Sequence, residues 1–302
     1  MTILSFIFLF LFIFSPSIYI LIYCKKKKKQ PKQSHDGWLD GVYCYYREQL
    51  SNTDKIFYDV LYDTLKNLKH NINFLLLPKK VRFSSNENKI LIYKCLKIDH
   101  PEIFYTLPVY QLTEIEYTEN VNAKIIQVEA EATKILNLIK GKTDFEKIKF
   151  VYNYLRKNTT YKYGAKNFFL SDDSAYTIYG CLVNHNAVCS GIANAFKFIL
   201  DRANVKCKII HGYILDSQAH AWNQVFIDGK WKHVDVTWDL NNEENKYFLI
   251  DDNLLSKSRL WANDMKNYSY KELLNIKNKN HWISVIFYCF KFLSCLTVPL
   301  KV

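Results

Sequence analysis

The sequence predicts an α+β protein in which a helix packs on an antiparallel sheet. The first observation is the stretch Ala187–Leu200, where apolar residues recur at helical spacing. The second is the pair Asp228-Gly229 between two strand-like runs, which is typical of a two-residue type I′ hairpin turn. Strand-like runs at Val205–Leu215 and Tyr247–Ile250 extend the expected sheet.

One cysteine stands at the expected start of the helix. Cys189 comes directly before the apolar face, which consists of Ile192, Ala195, Phe196, Ile199 and Leu200. At a helix N-terminus the free N–H groups and the positive dipole end favour thiolate over thiol, so Cys189 is a candidate nucleophile. Gly191 would let another backbone or a substrate come close to the helix. Since free cysteine is often buried, Cys189 alone leaves a purely structural role open.

The hairpin turn determines which residues of the two strands face each other. With a two-residue loop, Ile227 faces Lys230, and the same count brings Trp222 opposite Asp235. His220 and Asp235 are then diagonal neighbours on one face, at a separation of about 7 Å that an imidazole can span to a carboxylate. Taken singly, His220 could be a hydrogen-bonded histidine on the hairpin face and Asp235 a surface carboxylate. Because Asp235 lies within an apolar run, where an unpaired carboxylate is costly, we expect it to pair with His220.

The order and spacing of these residues resemble the transglutaminase-like superfamily, as it appears in bacterial members. The blocks that carry the resemblance are Cys189, His220-Ala221-Trp222-Asn223, Asp228-Gly229-Lys230-Trp231 and Val234-Asp235-Val236-Thr237-Trp238-Asp239, with Ser174-Ala175-Tyr176 and Gly180-Cys181-Leu182-Val183 upstream and Tyr247-Phe248-Leu249-Ile250 downstream. The resemblance covers residues 135–256 and implies a transglutaminase/papain-like core. It also implies Cys189 as nucleophile, His220 as general base and acid, and Asp235 as the orienting carboxylate.

Two aromatic residues are further candidates for contacts with the oxyanion or the substrate. Tyr176 carries a phenol that could donate to a developing negative charge, and the alternative is an aromatic side chain that packs the loop on the core. Trp222 follows closely after His220 in the hairpin. The backbone N–H of Cys189 is expected to supply another donor.

No cofactor and no metal are expected. The eight cysteines form no Cys-x-x-Cys pair, which argues against a structural zinc site, and no glycine-rich loop suited to phosphate is present. His211 and His233 are interpreted as sheet residues and not as ligands.

An apolar segment, Ile3–Tyr23, is long enough to cross a bilayer, and we predict a transmembrane anchor at residues 1–24. A basic juxtamembrane linker at residues 25–36 follows. Its lysines, Lys25–Lys29 and Lys32, supply six of the formal +12 charges. A cleaved leader carries positive charge before its apolar run, whereas here the charge comes after it. No nucleic-acid-binding module accompanies the basic charge, so nucleic acid is not an expected partner.

The remaining chain divides into three predicted regions. Residues 37–122 form an accessory α/β region, with a helix that starts at Ser51-Asn52-Thr53-Asp54 and a strand-like run at Val109–Tyr117. Residues 123–270 form the catalytic domain, and residues 271–302 an apolar C-terminal segment. In that segment Trp282–Leu300 suits a core strand or a second membrane crossing equally well.

Residues typical of helix starts and helix ends predict the elements that precede Cys189. A helix is predicted from about Ala123 to Ile139, closed by Gly141. Thr143 and Glu146 form a capping box that starts a second helix. The stretch Tyr161–Ala187 is expected to be a loop that leads to Cys189.

These features predict a membrane-anchored cysteine enzyme that forms a thioester from a protein or peptide amide. An amine acceptor would give crosslinking, and water would give peptide hydrolysis or deamidation. The positive-inside rule favours a cytoplasmic catalytic domain. The alternatives are a catalytically silent transglutaminase-like module that binds proteins, and an anchored structural protein with a coincidental triad. The sequence does not identify the substrate or the oligomeric state, and the positive-inside rule is the single argument for the membrane side.

Overall fold

The computed structural model describes residues 37–107, 109, 111–112, 114–164, 173–214, 219–240 and 244–261. The chain divides into two units after Asp40. Of the first unit, residues 37–40 are described, with the short strand β1 at Trp38–Leu39. No helix within these described ranges is long and apolar enough to cross a bilayer. The predicted anchor at 1–24, the linker at 25–36 and the C-terminal segment at 271–302 lie outside the described residues.

The second unit is built on a five-stranded antiparallel sheet. Three two-residue strands stand apart from this sheet, namely β2 (Val42–Tyr43), β3 (Thr160–Tyr161) and β4 (Asn186–Ala187). The sheet strands are β5 (Cys207–Ile214), β6 (Ala219–Ile227), β7 (Lys230–Val234), β8 (Phe248–Ile250) and β9 (Arg259–Trp261). Their order across the sheet is β8-β7-β6-β5-β9. The two strands predicted on either side of the hairpin are therefore present, as β5 and β8.

The predicted type I′ hairpin is confirmed. Asp228 and Gly229 both have positive φ, at 51° and 74°. The β6–β7 ladder runs from the pair Ile227↔Lys230 to the pair Asn223↔Val234 in the predicted register. It ends there, so Asp235 stands one residue beyond β7 and not within the ladder.

The described part of the second unit contains nine α-helices. They are α1 (Tyr45–Glu48), α2 (Asn52–Lys66), α3 (Lys79–Arg82), α4 (Asn86–Asp99), α5 (Val121–Ile139), α6 (Asp144–Asn158), α7 (Ile178–Leu182), α8 (Cys189–Arg202) and α9 (Asp252–Leu255). The predicted capping box of α6 is reciprocal, since Glu146 N–H donates to Thr143 Oγ1 and Thr143 N–H donates to Glu146 Oε2. Ser51 caps α2 by accepting from Asp54 N–H.

Helix α8 begins at Cys189, as predicted, and packs on β5 and β6. Its apolar face is buried, and Asn223 of β6 donates from Nδ2 to the carbonyl of Ala193 at 3.0 Å. The expected α+β arrangement, with the cysteine at a helix N-terminus that packs on an antiparallel sheet, is therefore present.

Two predicted stretches differ from the structure. The described residues between Val109 and Tyr117 form no strand, because their backbone groups pair with separate loops: Ile115 N–H donates to His70, and Tyr117 forms an isolated bridge with Thr106. The stretch predicted as a loop from Tyr161 to Ala187 contains a 3₁₀ turn at Ser174–Tyr176 and helix α7, and β3 and β4 pair in parallel. Parallel pairing joins residues distant in sequence, which a local pattern does not reveal.

A buried ion pair ties α8 to the segment before α1. Lys197 Nζ lies 2.6 Å from Asp201 Oδ2, and both side chains are 1% exposed. Lys197 also donates to the carbonyl of Tyr43 at 2.9 Å, while Tyr43 N–H donates to Asp201 Oδ1 at 3.3 Å. Burial raises the pKa of the Asp201 carboxyl to about 7, although the neighbouring lysine opposes this shift. Buried charges therefore connect the helix that carries Cys189 with the backbone of Tyr43.

Candidate active site

The imidazole of His220 and the carboxylate of Asp235 are hydrogen-bonded in the protein interior. Nε2 of His220 lies 2.8 Å from Oδ2 of Asp235, and the side chains are 6% and 1% exposed. The other carboxylate oxygen, Oδ1, accepts from the backbone N–H of Trp238 at 3.3 Å. The 3₁₀ turn Thr237–Asp239 thus holds the carboxylate just beyond the end of β7. The pairing expected from the hairpin count occurs, although Asp235 has left the ladder.

Cys189 contacts the same imidazole. It is a free thiol at the first position of α8, and its side chain lies close enough to His220 to raise the pKa of that imidazole. Because Nε2 of His220 is bonded to Asp235, the nitrogen left for the sulfur is Nδ1. Sulfur, imidazole and carboxylate therefore follow one another in the order that nucleophilic catalysis by cysteine requires.

The electrostatics of the site favour a protonated imidazole. Burial lowers the pKa of His220, because desolvation disfavours the charged form. The negative charge of Asp235, the hydrogen bonds to Asp235 and Cys189, and the charge of Cys189 outweigh burial and raise the pKa of His220 to about 10. His220 is therefore an imidazolium at neutral pH.

The N-terminal turn of α8 is packed against the 3₁₀ turn Ser174–Tyr176. A Cβ added to Gly191 would lie 2.2 Å from the carbonyl oxygen of Ala175, so only glycine fits this approach. Val188 N–H donates to the same oxygen at 3.1 Å, and Asn194 Nδ2 donates to the carbonyl of Tyr176 at 3.1 Å. The close approach expected at Gly191 is thus made by backbone, and it brings Tyr176 next to the helix end.

Tyr176 lies beside the helix that Cys189 begins, because its carbonyl accepts from Asn194. Its ring is partly buried, and burial together with the charges of Asp173 and Cys189 raises the pKa of its phenol. The phenol is therefore a neutral donor at physiological pH. Donation to an oxyanion stays a prediction for this residue.

A tyrosine that the sequence did not single out contacts the backbone of Cys189. The phenol of Tyr161 lies close enough to the backbone of Cys189 for the N–H of that residue to lower the pKa of the phenol. Burial and the nearby charge of Cys189 nevertheless raise the pKa of Tyr161. The backbone N–H expected to serve a substrate oxyanion thus lies near the phenol of Tyr161. Tyr161 and Tyr163 flank a single lysine, Lys162, and this short alternation was the available signal for a strand.

The geometry does not support Trp222 as an oxyanion donor. It is 1% exposed, and its indole Nε1–H donates to Nδ1 of His233 at 2.9 Å. The indole stacks beside His220, with ring centroids 5.8 Å apart and an interplanar angle of 19°. An indole has a single N–H donor, so none is left for a substrate. Trp222 instead packs beside the imidazole of His220 and restricts its position.

Arg259 also reaches the site from outside the predicted motif. Its Nη2 donates to Oδ2 of Asp235 at 3.2 Å, and its side chain is 2% exposed. It lies on β9, which pairs with β5 at the edge of the sheet. Nothing in the local sequence around Arg259 marks it, because the contact depends on strand order.

The described residues contain no group of three or more His, Cys, Asp or Glu side chains that could hold a metal ion. His211 and His233 lie on β5 and β7. Burial and the charge of His220 lower the pKa of His211 to about 4, so His211 is neutral beside the charged imidazole.

Comparison with known proteins connects this geometry with a family. A model described as the transglutaminase-like superfamily matches residues 133–236. Human kyphoscoliosis peptidase is 26% identical over 107 residues, which make up 32% of this chain and 16% of that protein. The chain thus matches about a sixth of the length of this curated relative. This relative is a human protein, so the comparison does not support the specific resemblance to bacterial members.

Solved structures with low similarity were also found. A structure named as a TGase has 17% sequence identity, covers 43% of this chain and 35% of its own, and gives a TM-score of 0.35. A proposed cysteine protease from Cytophaga hutchinsonii has 19% identity, with coverage of 37% and 38% and a TM-score of 0.31.

Proposed function

Residues 133–236 belong to the transglutaminase-like superfamily, and from this premise we propose that the chain is a cysteine enzyme that transfers acyl groups from amides. The substrate is a protein or peptide that carries a carboxamide or peptide bond. The acyl group passes through a thioester on Cys189, and either an amine or water accepts it.

The observation that carries the proposal is the contact of Cys189 with an imidazole that Asp235 holds from the other side. A buried imidazolium is costly unless its charge is used or compensated. Here the charge is shared between a carboxylate and a thiol at a helix N-terminus, where a thiolate is favoured. A module that only binds partners has no use for this arrangement.

The acylation step uses Cys189, His220 and Asp235, each in a separate role. The sulfur of Cys189 attacks the carbonyl carbon, and the C–N bond breaks as the tetrahedral intermediate collapses. His220 gives its Nδ1 proton to the departing amine, and Asp235 keeps the imidazole in the orientation for this transfer. The products of this half-reaction are a thioester on Cys189 and a free amine or ammonia.

Deacylation reverses the proton movements. His220, now neutral, takes a proton from an incoming amine or from water as that group attacks the thioester carbonyl. An amine gives an amide crosslink, whereas water gives a carboxylic acid and the free enzyme. The relative rates depend on how well water is excluded from the site and on how an acceptor is bound.

We extend the proposal to the membrane on the strength of the sequence. The uncharged run Ile3–Tyr23, followed by Lys25–Lys29, supports an anchor with the catalytic domain on the cytoplasmic side. Carbonate extraction of membranes from cells that express the full chain tests the anchor. The chain is expected to stay in the pellet, and the double variant Phe8→Asp/Phe12→Asp is expected to be released. Release of the unaltered chain by carbonate would contradict the proposal.

The enzymatic proposal is tested by the reactivity of Cys189. Full-length protein is treated with iodoacetamide between pH 5 and 9, and mass spectrometry of peptides measures alkylation of each cysteine separately. Cys181 is a matched internal control, since it is also buried, and burial raises the pKa of its thiol to about 12. Cys189 is expected to react at least about tenfold faster than Cys181 at pH 7, because an adjacent imidazolium favours the thiolate.

The variant His220→Ala distinguishes the proposed cysteine enzyme from a catalytically silent binding module. It is expected to slow alkylation of Cys189 about tenfold or more and to leave Cys181 unchanged. If Cys189 reacts like Cys181, or if it reacts equally well without His220, the enzyme proposal fails. For a reactive protein, incubation of casein with a fluorescent amine then measures transfer, and ammonia release without amine incorporation measures hydrolysis.

A further inference from the structure

Two cations share one oxygen of the buried carboxylate. His220 Nε2 lies 2.8 Å from Oδ2 of Asp235, and Arg259 Nη2 lies 3.2 Å from the same atom. All three side chains are at most 6% exposed. The second oxygen, Oδ1, accepts only a neutral backbone N–H among the bonds described, from Trp238. The charge of Asp235 is therefore divided between an imidazolium and a guanidinium at a single atom.

Arg259 is held in place independently of the carboxylate. Its guanidinium carbon lies 4.3 Å from the ring centroid of Trp238 and 4.8 Å from that of Tyr247, so the planar group is packed by two aromatic rings. Nη1 donates to the carbonyl of Ser258 at 3.1 Å. On β9, Arg259 pairs with Ile214 of β5. The residue lies beyond the end of the matched family segment, 133–236.

This arrangement has an electrostatic consequence for the base. A fixed positive charge close to an imidazolium disfavours the imidazolium, and a guanidinium remains charged at all relevant pH values. We propose that Arg259 is a positioning residue that acts through Asp235 and, by sharing its Oδ2 atom with His220, makes the imidazolium a stronger acid. The inference deepens the proposed acyl transfer, because a more acidic imidazolium protonates a leaving amine more readily.

A merely structural role for Arg259 makes the opposite prediction. If the guanidinium only held the carboxylate in place, its loss would loosen the bond between Asp235 and His220, and the pKa of His220 would fall. If it competes for the charge of Asp235, its loss leaves the carboxylate wholly to His220, and the pKa rises. The sign of the change therefore distinguishes the two roles.

Other ionisable groups face the His220–Asp235 pair, and substitution of Arg259 leaves all of them in place. They are Cys189 on α8, His211 on β5, Tyr152 on α6 and Asp239 in the 3₁₀ turn. Tyr152 donates to Asp239, so this tyrosine and carboxylate form a pair of their own beside the site.

The test is a histidine-specific NMR titration of the full-length protein between pH 7 and 12. The His220 resonance is assigned by its loss in His220→Gln. In Arg259→Met we expect the titration midpoint of His220 to rise by about one pH unit, and in Arg259→Lys, which keeps the charge, to stay near that of the unaltered protein. The control Arg156→Met removes an arginine that donates to the carbonyl of Asp239 and not to Asp235. It should leave the midpoint unchanged.

Arg259→Gln covers the case in which Arg259→Met does not fold, since glutamine keeps a donor for Oδ2 without the charge. An unchanged or lowered midpoint in the neutral variants would overturn the inference. An equal rise in Arg259→Lys would overturn it as well, because charge would not be the cause. The readout needs no turnover, so inert Cys189 in the alkylation assay would defeat the proposed enzyme without deciding the role of Arg259.

Discussion

The α-carbon of Gly191 is so close to the carbonyl oxygen of Ala175 that an added Cβ would stand 2.2 Å from this oxygen. This contact packs the 3₁₀ turn that carries Tyr176 onto the first turn of α8, two residues after Cys189. The stability of the helix end and the geometry around the thiol are therefore coupled at one backbone position.

Gly191→Ala is expected to lower the free energy of unfolding by about 1–3 kcal/mol, because the clash costs more than the roughly 1 kcal/mol that alanine gains in a helix. It should also slow alkylation of Cys189, since the turn beside the thiol is pushed away. Gly141→Ala is the control. Gly141 has φ +76° and open space around it, so alanine at this position causes a similar loss of stability through backbone strain. Gly141 follows α5 and is distant from Cys189 in the sequence, so this substitution should not disturb the thiol. Equal Cys189 reactivity in both variants would contradict the coupling.

Tyr161→Phe removes the hydroxyl that lies near the Cys189 backbone N–H and competes for it. A free N–H can stabilise an oxyanion, so we expect acylation of Cys189 by p-nitrophenyl acetate to become about fivefold faster, the equivalent of one neutral hydrogen bond of roughly 1 kcal/mol. Alkylation by iodoacetamide forms no oxyanion and should change little.

Tyr163→Phe is the matched control, because Tyr163 is 81% exposed and its ring lies 5.0 Å from that of Tyr161. Slower acylation in Tyr161→Phe would show that the hydroxyl assists the reaction and does not occupy the donor.

The pKa of His220 predicts a pH-dependent contribution to stability. Its value of about 10 in the folded protein lies above the roughly 6.5 of an unfolded histidine. The charged form is therefore stabilised by folding, so the contribution is full below about pH 6.5 and is lost as pH rises towards 10. Denaturant unfolding of the full-length protein and of His220→Asn should show a stability difference that shrinks over this window. His185→Asn, at an exposed histidine, is the control. A difference that grows with pH would contradict the shift.

Breaking the buried pair of α8 is expected to be costly. Lys197→Met removes the counter-charge of Asp201 and the donor to Tyr43, so the buried carboxyl must take up a proton or stay unpaired, and we expect a loss of about 3–5 kcal/mol. Lys197→Met/Asp201→Leu replaces both charges by apolar groups and should recover much of that loss. A double-mutant cycle of unfolding free energies measures the coupling. Additive effects of the two substitutions would show that the pair contributes no interaction.

Short-range signals in the sequence were sufficient for the elements that carry the three central residues. The apolar spacing after Cys189 gave the helix start, and the Asp228-Gly229 turn gave the register that brings His220 close to Asp235. The box of Thr143 and Glu146 gave the start of α6. These relations join residues a few positions apart or across a two-residue loop. Covalent geometry therefore nearly determines them before the rest of the chain folds.

The tertiary structure decided which further groups reach the site. Arg259 meets Asp235 because β9 pairs with β5, and Tyr161 meets Cys189 because β3 and β4 pair in parallel. Lys197 and Asp201 lie at positions that helical spacing assigns to the polar side, yet packing against the segment at Tyr43 buries both. The indole N–H of Trp222, a potential donor to a substrate, is instead bonded to His233, so the ring contributes only packing. Such contacts depend on strand order and on burial of both partners, and neither property is encoded in the local spacing of residues.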